Sequence, residues 1–375
     1  MRNKIKLFQY LFLACLFTTK IQAQAVDYKN ISSIMDNLVR KDKFSGVVLI
    51  AEEGKVKFEK AYGNIDNEKK IPNKINTIFE LASVSKQFTA MTIMMLHEKG
   101  LLQYDDLVEK YVDIPYKGIT IRQLLTHTSG LPDYQEVMDK HWDKTKVANN
   151  KDIIEYLFKY TPPALFEPGT QYLYSNTGFV ILASITEKVS GTDFISFCNR
   201  NIFSKLKMNN TAIRTLEQKA ATPNFALGYI YVPERNKYVR ADSFPSSNYT
   251  IWLGNRKGPG RISSTAQDLL KWDQALYGQL LIKSKTLQEA YTPMTLKDGK
   301  ISNYGFGWEL IPNASKGKIV WHNGDNPGYK TLIMRFVDQH RTLIVLCNNA
   351  TEEFVHLTND LRMAISGELD VNMKL

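Results

Sequence analysis

The sequence predicts an α+β fold: an antiparallel sheet flanked by terminal helices, with a mostly helical insertion. Three observations predict it. Strand patterns occur near both ends of the chain, at 46–60 and 318–347. An amphipathic helical pattern lies outside each group, at 30–40 and at about 353–365. Helical patterns fill the long middle, at 83–99, 151–160, 177–190 and 265–276.

Each element has a local reason. Gly46-Val47-Val48-Leu49-Ile50-Ala51 is a continuous apolar run, as in a strand covered on both faces. Glu53-Gly54 turns the chain, and Lys55-Val56-Lys57-Phe58-Glu59-Lys60 alternates like a half-exposed strand. From Ser83 to Gly100 there are few breakers, and Val84, Phe88, Met91 and Met95 recur at helical spacing. Near the other end, 318–321 is a short strand, 329–337 a longer one, 338–341 a turn and 342–347 the return strand. Residues 222–262, rich in Pro, Gly, Ser and Asn, read as a surface excursion bordering a cleft. The expected organisation is a signal peptide at 1–23 and one catalytic domain at 24–375. Within that domain a sheet subdomain (26–80 with 300–375) surrounds a helical one (83–295).

The first residues differ from the rest. Arg2, Lys4 and Lys6 precede the apolar run 7–17, and Ile21-Gln22-Ala23-Gln24-Ala25 offers a small-residue cleavage site. That is the pattern of a secretory signal, and it implies export to the periplasm or the medium. Acylation of Cys15 is a minor alternative. No other segment is long and apolar enough to span a bilayer, so no stable span is expected after processing. Removing Arg2, Lys4, Lys6 and Lys20 lowers the net charge from +10 to +6. The remaining lysines are scattered among acids, which argues against a nucleic-acid partner. Cys198 and Cys347 sit in apolar contexts and read as buried free thiols. No cysteine or histidine spacing suggests a metal site.

Ser83 and Lys86 carry the chemistry. Three residues apart on a helix, they share one face. A serine hydroxyl needs a base to become a nucleophile, and a partly desolvated lysine can serve. Tyr174-Ser175-Asn176 precedes the helix at 177–190. A phenol beside lysine ammonium groups ionises more easily, and the Asn176 amide can orient a substrate amide. Trp321-His322-Asn323-Gly324-Asp325 follows a strand. There His322 would stand at the strand end and Gly324 would admit a close approach. A backbone N–H just past Gly324, with that of Ser83, can form an oxyanion hole.

Taken together, S-x-x-K, Y-x-N and H-x-G resemble the serine β-lactamase and penicillin-binding-protein superfamily. Tyr-x-Asn in the middle is similar to class C β-lactamases, D-alanyl-D-alanine carboxypeptidases and β-lactamase-fold esterases. Separations of 91 residues from Ser83 to Tyr174, then 148 to His322, fit that order. Leu124-Leu125-Thr126-His127-Thr128-Ser129-Gly130 and Ser263-Ser264-Thr265-Ala266-Gln267-Asp268-Leu269 add to the resemblance, which covers the mature chain. One departure stands out: His322-Asn323-Gly324 replaces the usual Lys-Thr-Gly, which weakens the case for binding a β-lactam carboxylate.

The resemblance implies a β-lactamase/transpeptidase-like fold and acyl transfer through a covalent serine ester, with no cofactor. Ser83, Lys86 and Tyr174 would be catalytic, with the base work shared between Lys86 and Tyr174. Asn176, His322, Gly324 and Asp325 would bind substrate, His322 by assisting Tyr174 electrostatically or by holding a substrate acid. The substrate would be a small molecule or peptide (an ester, a D-amino-acid peptide or a β-lactam), with peptidoglycan fragments among the candidates. The alternative is a catalytically silent protein that binds or senses cell-wall peptides.

Overall fold

The computed structural model describes residues 26–311 and 317–366; the expected signal peptide and Cys15 lie outside the described residues. Helix α1 (Tyr28–Arg40) starts on Asp27, whose carboxylate accepts the Asn30 N–H at 3.0 Å. Strands β1 (Gly46–Glu52) and β2 (Lys55–Tyr62) follow as a hairpin. The short strand β3 (Phe79–Glu80) leads into one 3₁₀ turn, Ala82–Ser85, and then helix α2 (Lys86–Glu98). Helix α3 (Asn176–Ser190), strand β4 (Ile262–Ser264) and helix α4 (Ala266–Ala275) belong to the middle of the chain. Strands β5 (Glu309–Ile311), β6 (Ile319–Asn326), β7 (Tyr329–Phe336) and β8 (Arg341–Cys347) precede the last helix, α5 (Phe354–Ser366).

The main sheet runs β5-β6-β7-β8-β1-β2, antiparallel throughout. Its β8–β1 pairing joins the two ends of the chain, with Gly46 opposite Cys347 and Glu52 opposite Arg341. The apolar run of β1 has a simple cause. Val47, Leu49 and Ala51 enter the core shared with Leu269 and Trp272 of α4, whereas Val48 and Ile50 meet Ile31 and Met35 of α1 and Leu357 and Leu361 of α5. Alternate side chains of a strand point to opposite faces, so both faces are paid in apolar residues. Each fully buried aliphatic side chain stabilises the fold by about 1.5–3 kcal/mol.

Helix α2 is buried from Lys86 to Leu96. Phe88 packs on Trp272 of α4 at 4.4 Å between ring centroids, and the Trp272 indole N–H donates to Gln87 at 2.9 Å. Strand β4 pairs with β3 and anchors the approach to Ser83. Cys198 and Cys347 are free and buried. Among the described residues no helix is long and apolar enough to cross a membrane.

Three local readings need correction. First, Ser83 sits in the 3₁₀ turn, three residues before α2 begins, and Ala82 takes a left-handed backbone with φ +48°. Second, β6 does not end at Trp321. It continues through His322 to Asn326 because it stays paired with β7 as far as Asn326 opposite Tyr329. Pro327-Gly328 then closes the hairpin, with Gly328 at φ +86°. The polar run 322–326 hid this strand. Third, residues 222–262 are not all surface, for Trp252, Leu253, Arg256 and Arg261 are buried.

Candidate active site

Ser83 is the one residue from Thr77 to Leu96 that is not buried. The fold thus exposes a single hydroxyl at the start of a buried helix. Lys86 is fully buried beneath it, with Nζ 3.0 Å from Ser83 Oγ. Nζ also meets Asn176 Oδ1 at 2.9 Å and the Pro259 carbonyl oxygen at 2.9 Å. Burial is the main cause that holds the Lys86 amine well below the usual lysine range; the Arg256 guanidinium adds to it, and Asp133 offsets part.

The three partners of Nζ differ chemically. A carbonyl oxygen and an amide oxygen only accept, whereas a hydroxyl can also donate. A neutral Lys86 therefore spends its two N–H bonds on Asn176 and Pro259. Its lone pair is left to accept the Ser83 proton.

Tyr174 and Asn176 come from the loop that enters α3. Lys86 Nζ lies 4.7 Å from the centre of the Tyr174 ring. The Tyr174 hydroxyl is buried and completes no hydrogen bond, although the neighbouring Ser83 hydroxyl eases its ionisation somewhat. Burial dominates and pushes the phenol far above its ordinary range, with Glu309 and Asp133 raising it further. Burial thus works against the easy ionisation expected of this tyrosine. His127, at φ +55°, accepts the Ser175 N–H on Nδ1 at 3.0 Å and packs its ring 4.2 Å from that of Tyr174. It thereby holds the Tyr174-Ser175-Asn176 loop.

His322 is buried within β6. Its Nδ1 lies 2.5 Å from the Asn323 carbonyl oxygen, which can only accept, so that nitrogen carries the proton. Nε2 then accepts from the Tyr304 hydroxyl at 2.8 Å. Burial, reinforced by Lys86, pushes the imidazole down to about 3, with only the Asn323 bond opposing. On this geometry both ring nitrogens of His322 are engaged within the protein, Nδ1 by Asn323 and Nε2 by Tyr304.

Gly324 lies where β6 crosses the Ser83 turn. A side chain there would strike the Leu81 carbonyl and the Thr331 hydroxyl. Asp325 is exposed and pairs with Lys330 at 2.7 Å. On the outer edge of β6, β5 covers only Ile319 to Trp321, and among the described residues no strand pairs there with the stretch from His322 onward. Alternate N–H groups of an antiparallel strand face that edge.

Comparison with known proteins decides the family. The Beta-lactamase family matches residues 31–367. The chain belongs to the β-lactamase family. It is 40% identical to penicillin-binding protein 4* of Bacillus subtilis (strain 168) over 323 residues, 85% of this chain and 71% of that protein. It is 27% identical to a D-aminopeptidase of Brucella anthropi, over 81% of this chain and 56% of that one. Among solved structures, the octameric penicillin-binding protein homologue from Pyrococcus abyssi superposes with TM-score 0.77 at 26% identity, covering 90% of this chain and 76% of that one.

As a β-lactamase-family serine hydrolase, the protein brings Ser83, Tyr174 and Asn176 together around the Lys86 amine, with His322, Gly324 and Asp325 in sequence along β6. Three features of this family member were not read from sequence. Tyr304 holds His322. The Pro259 carbonyl completes the Lys86 cradle. Glu309, interacting with Tyr172, has its carboxyl pushed up by burial to about 7. The run Tyr304-Gly305-Phe306-Gly307-Trp308-Glu309 was a usable signal for two of them, since aromatic residues alternating with glycine just before a strand mark close packing.

Proposed function

We propose that this protein is an exported hydrolase that cleaves esters and small D-amino-acid amides through an acyl-enzyme on Ser83. The carrying observation is the Lys86 cradle: two fixed acceptors and one hydroxyl around a fully buried amine. Lys86 takes the Ser83 proton as the hydroxyl attacks the substrate carbonyl. The N–H groups of Ser83 and Asp325 receive the developing oxyanion; that of Ser83 lies in the first turn of a helix, where N–H groups have no partner within the helix. Asn176 Oδ1 is committed to Lys86, which leaves Nδ2 to donate to a substrate carbonyl. Tyr174, a neutral phenol, gives its proton to the leaving group and regains one from the Lys86 ammonium, so the relay returns both groups to neutral. Water then releases the acyl group.

The substrate class rests on His322. Near neutral pH the ring is uncharged, so β6 offers a substrate carboxylate no cation at that position. Esters and amides without that requirement are favoured over penicillins. The D-aminopeptidase relative supports the same side of the choice. Turnover of p-nitrophenyl butyrate and D-alanine p-nitroanilide, against nitrocefin, tests the reading. Nitrocefin hydrolysed as fast as the ester contradicts it.

A further inference from the structure

A cavity of about 450 Å³ opens beside the β6–β7 turn, lined by Lys69, Glu80, Lys219, Arg240, Arg261 and Tyr329 among others. Its charges do not balance. Glu80 is buried and serves both Arg261, at 3.3 Å, and Lys219, while Asn326 donates to it at 3.0 Å. Oε1 takes Arg261 and Asn326, and Oε2 takes Lys219. Arg240 is matched by Asp242 at 2.7 Å. Lys219 and Arg261 thus share one carboxylate, and Lys69, beside Asp66, stands exposed at the rim. Arg261 is 1% exposed, and its Nε and Nη2 have no hydrogen-bond partner. Its backbone is held at φ +80°, a costly conformation for a residue with a side chain.

The protonation of the cluster agrees with this count. Burial and the Arg261 guanidinium lower the Lys219 amine to about 7, with Glu80 opposing. Burial alone would raise Glu80, yet Arg261 and Lys219 outweigh it and hold the carboxylate at about 2. An anion entering the cavity would favour the charged form of Lys219.

We propose that this cavity is a subsite for a carboxylate carried by the substrate, received by Lys219 and Arg261 with Lys69 at its mouth. Leu216, Phe225 and Ile251 give the arm of such a substrate an apolar wall. Position ties the cavity to the reacting centre. Pro327, in its lining, follows Asp325 by two residues, and Glu80 precedes Ser83 by three. Chain geometry limits those separations to roughly 7 and 11 Å. The proposed substrate therefore carries its carboxylate on a short arm from the ester or amide carbonyl at Ser83. The inference rests on the proposed hydrolysis at Ser83. It also places the acid-binding group of the site away from His322.

The test uses paired esters. Mono-p-nitrophenyl glutarate is compared with p-nitrophenyl butyrate, which puts the carboxylate on the acyl side; 4-(butyryloxy)benzoate is compared with phenyl butyrate, which puts it on the leaving group. The readout is the ratio of kcat/KM for charged over neutral ester. One of the two ratios should exceed about 5 and fall roughly tenfold in Lys219→Met, the size of one charge-assisted hydrogen bond. Lys69→Glu, at an exposed position that leaves the buried network whole, should lower the same ratio and remove its salt dependence. A merely structural role for Lys219 lowers both esters and leaves the ratio unchanged, which overturns the proposal. So does a free glutarate that speeds butyrate turnover while neither charged ester is preferred, since that describes an effector site. If no ester is hydrolysed, the hydrolase reading fails separately. The subsite is then decided by glutarate titration of the unmodified protein, where a rise in Tm absent from Lys69→Glu supports it and no rise overturns it.

Discussion

Lys86 Nζ stands 3.0 Å from Ser83 Oγ, and its two other close partners, Asn176 Oδ1 and the Pro259 carbonyl, can only accept hydrogen bonds. The amine is thereby aimed. Once neutral, it has one free direction, and that direction ends on the serine. Desolvation keeps it neutral over a wider pH range than a surface lysine.

The pH dependence of acylation follows. The base works only when Lys86 is unprotonated, so kcat/KM for p-nitrophenyl butyrate should fall as pH drops through its lowered pKa and level off above it. Lys86→Met should remove this acid limb together with about three or more decades of rate, the usual scale for a unit that activates the nucleophile. Profiles from pH 5 to 10 on both proteins check it. An acid limb that survives in Lys86→Met assigns the base elsewhere.

Tyr174 behaves differently because burial holds its phenol far above the ordinary range. Tyr174→Phe should keep the acid limb set by Lys86 and lose about 10²–10⁴-fold in rate, the range for one proton-transfer group. The loss should be larger for an anilide than for a p-nitrophenyl ester, whose leaving group needs no proton. Equal losses on the two substrates contradict a proton-relay role.

His322 gives a prediction by staying neutral. With its imidazole at about 3, the nitrocefin to p-nitrophenyl butyrate ratio should be flat from pH 6 to 8. His322→Lys buries an ammonium in place of the ring bonded to Tyr304, so it should lower Tm without raising that ratio. A ratio that rises as pH falls toward 6 would show a protonated histidine at work.

How much of this was legible beforehand depends on what each residue answers to. Val47 to Ala51 announced a strand buried on both faces because hydrophobicity is a property of the residues themselves. Ser83 and Lys86 announced their contact because helical spacing alone puts them together. The charge state of His322 was not legible: it depends on Tyr304 and on burial within β6, and the polar run from His322 to Asn326 looked like a turn. Arg256 and Arg261 sat in a stretch whose Gly, Pro and Asn content suggested exposure. Only the fold, which sets Glu80 on β3 against that stretch, explains two buried arginines there.

Glu309 should couple stability to pH. Its folded-state pKa of about 7 lies above the ordinary carboxyl value near 4.3, so the folded state binds the proton more tightly than the unfolded chain. That contribution is present at acid pH and is lost as pH rises through 7. Glu309→Gln should therefore stabilise the protein more at pH 8 than at pH 5.5. Melting curves of both proteins at the two pH values read the difference; an effect of equal size at both shows that Glu309 is ionised throughout.

Export predicts a mature N-terminus near Gln24 or Val26, motivated by Arg2, Lys4 and Lys6 ahead of the apolar run 7–17. N-terminal sequencing of protein recovered from the native host decides it. Retention of Met1 in a cytosolic fraction contradicts export, and a lipidated Cys15 shows the anchored alternative.

The central claim is that Ser83 carries the acyl group. Incubation with a fluorophosphonate or a slowly released ester, followed by proteolysis and mass spectrometry, should place the adduct on the peptide containing Leu81-Ala82-Ser83-Val84-Ser85. Fragment ions should assign it to Ser83 and not to Ser85, whose hydroxyl is buried and accepts the Ile262 N–H at 3.2 Å. Ser83→Ala should give no adduct and retain the wild-type circular dichroism spectrum. An adduct on any other residue, or full ester turnover by the folded Ser83→Ala protein, contradicts the account.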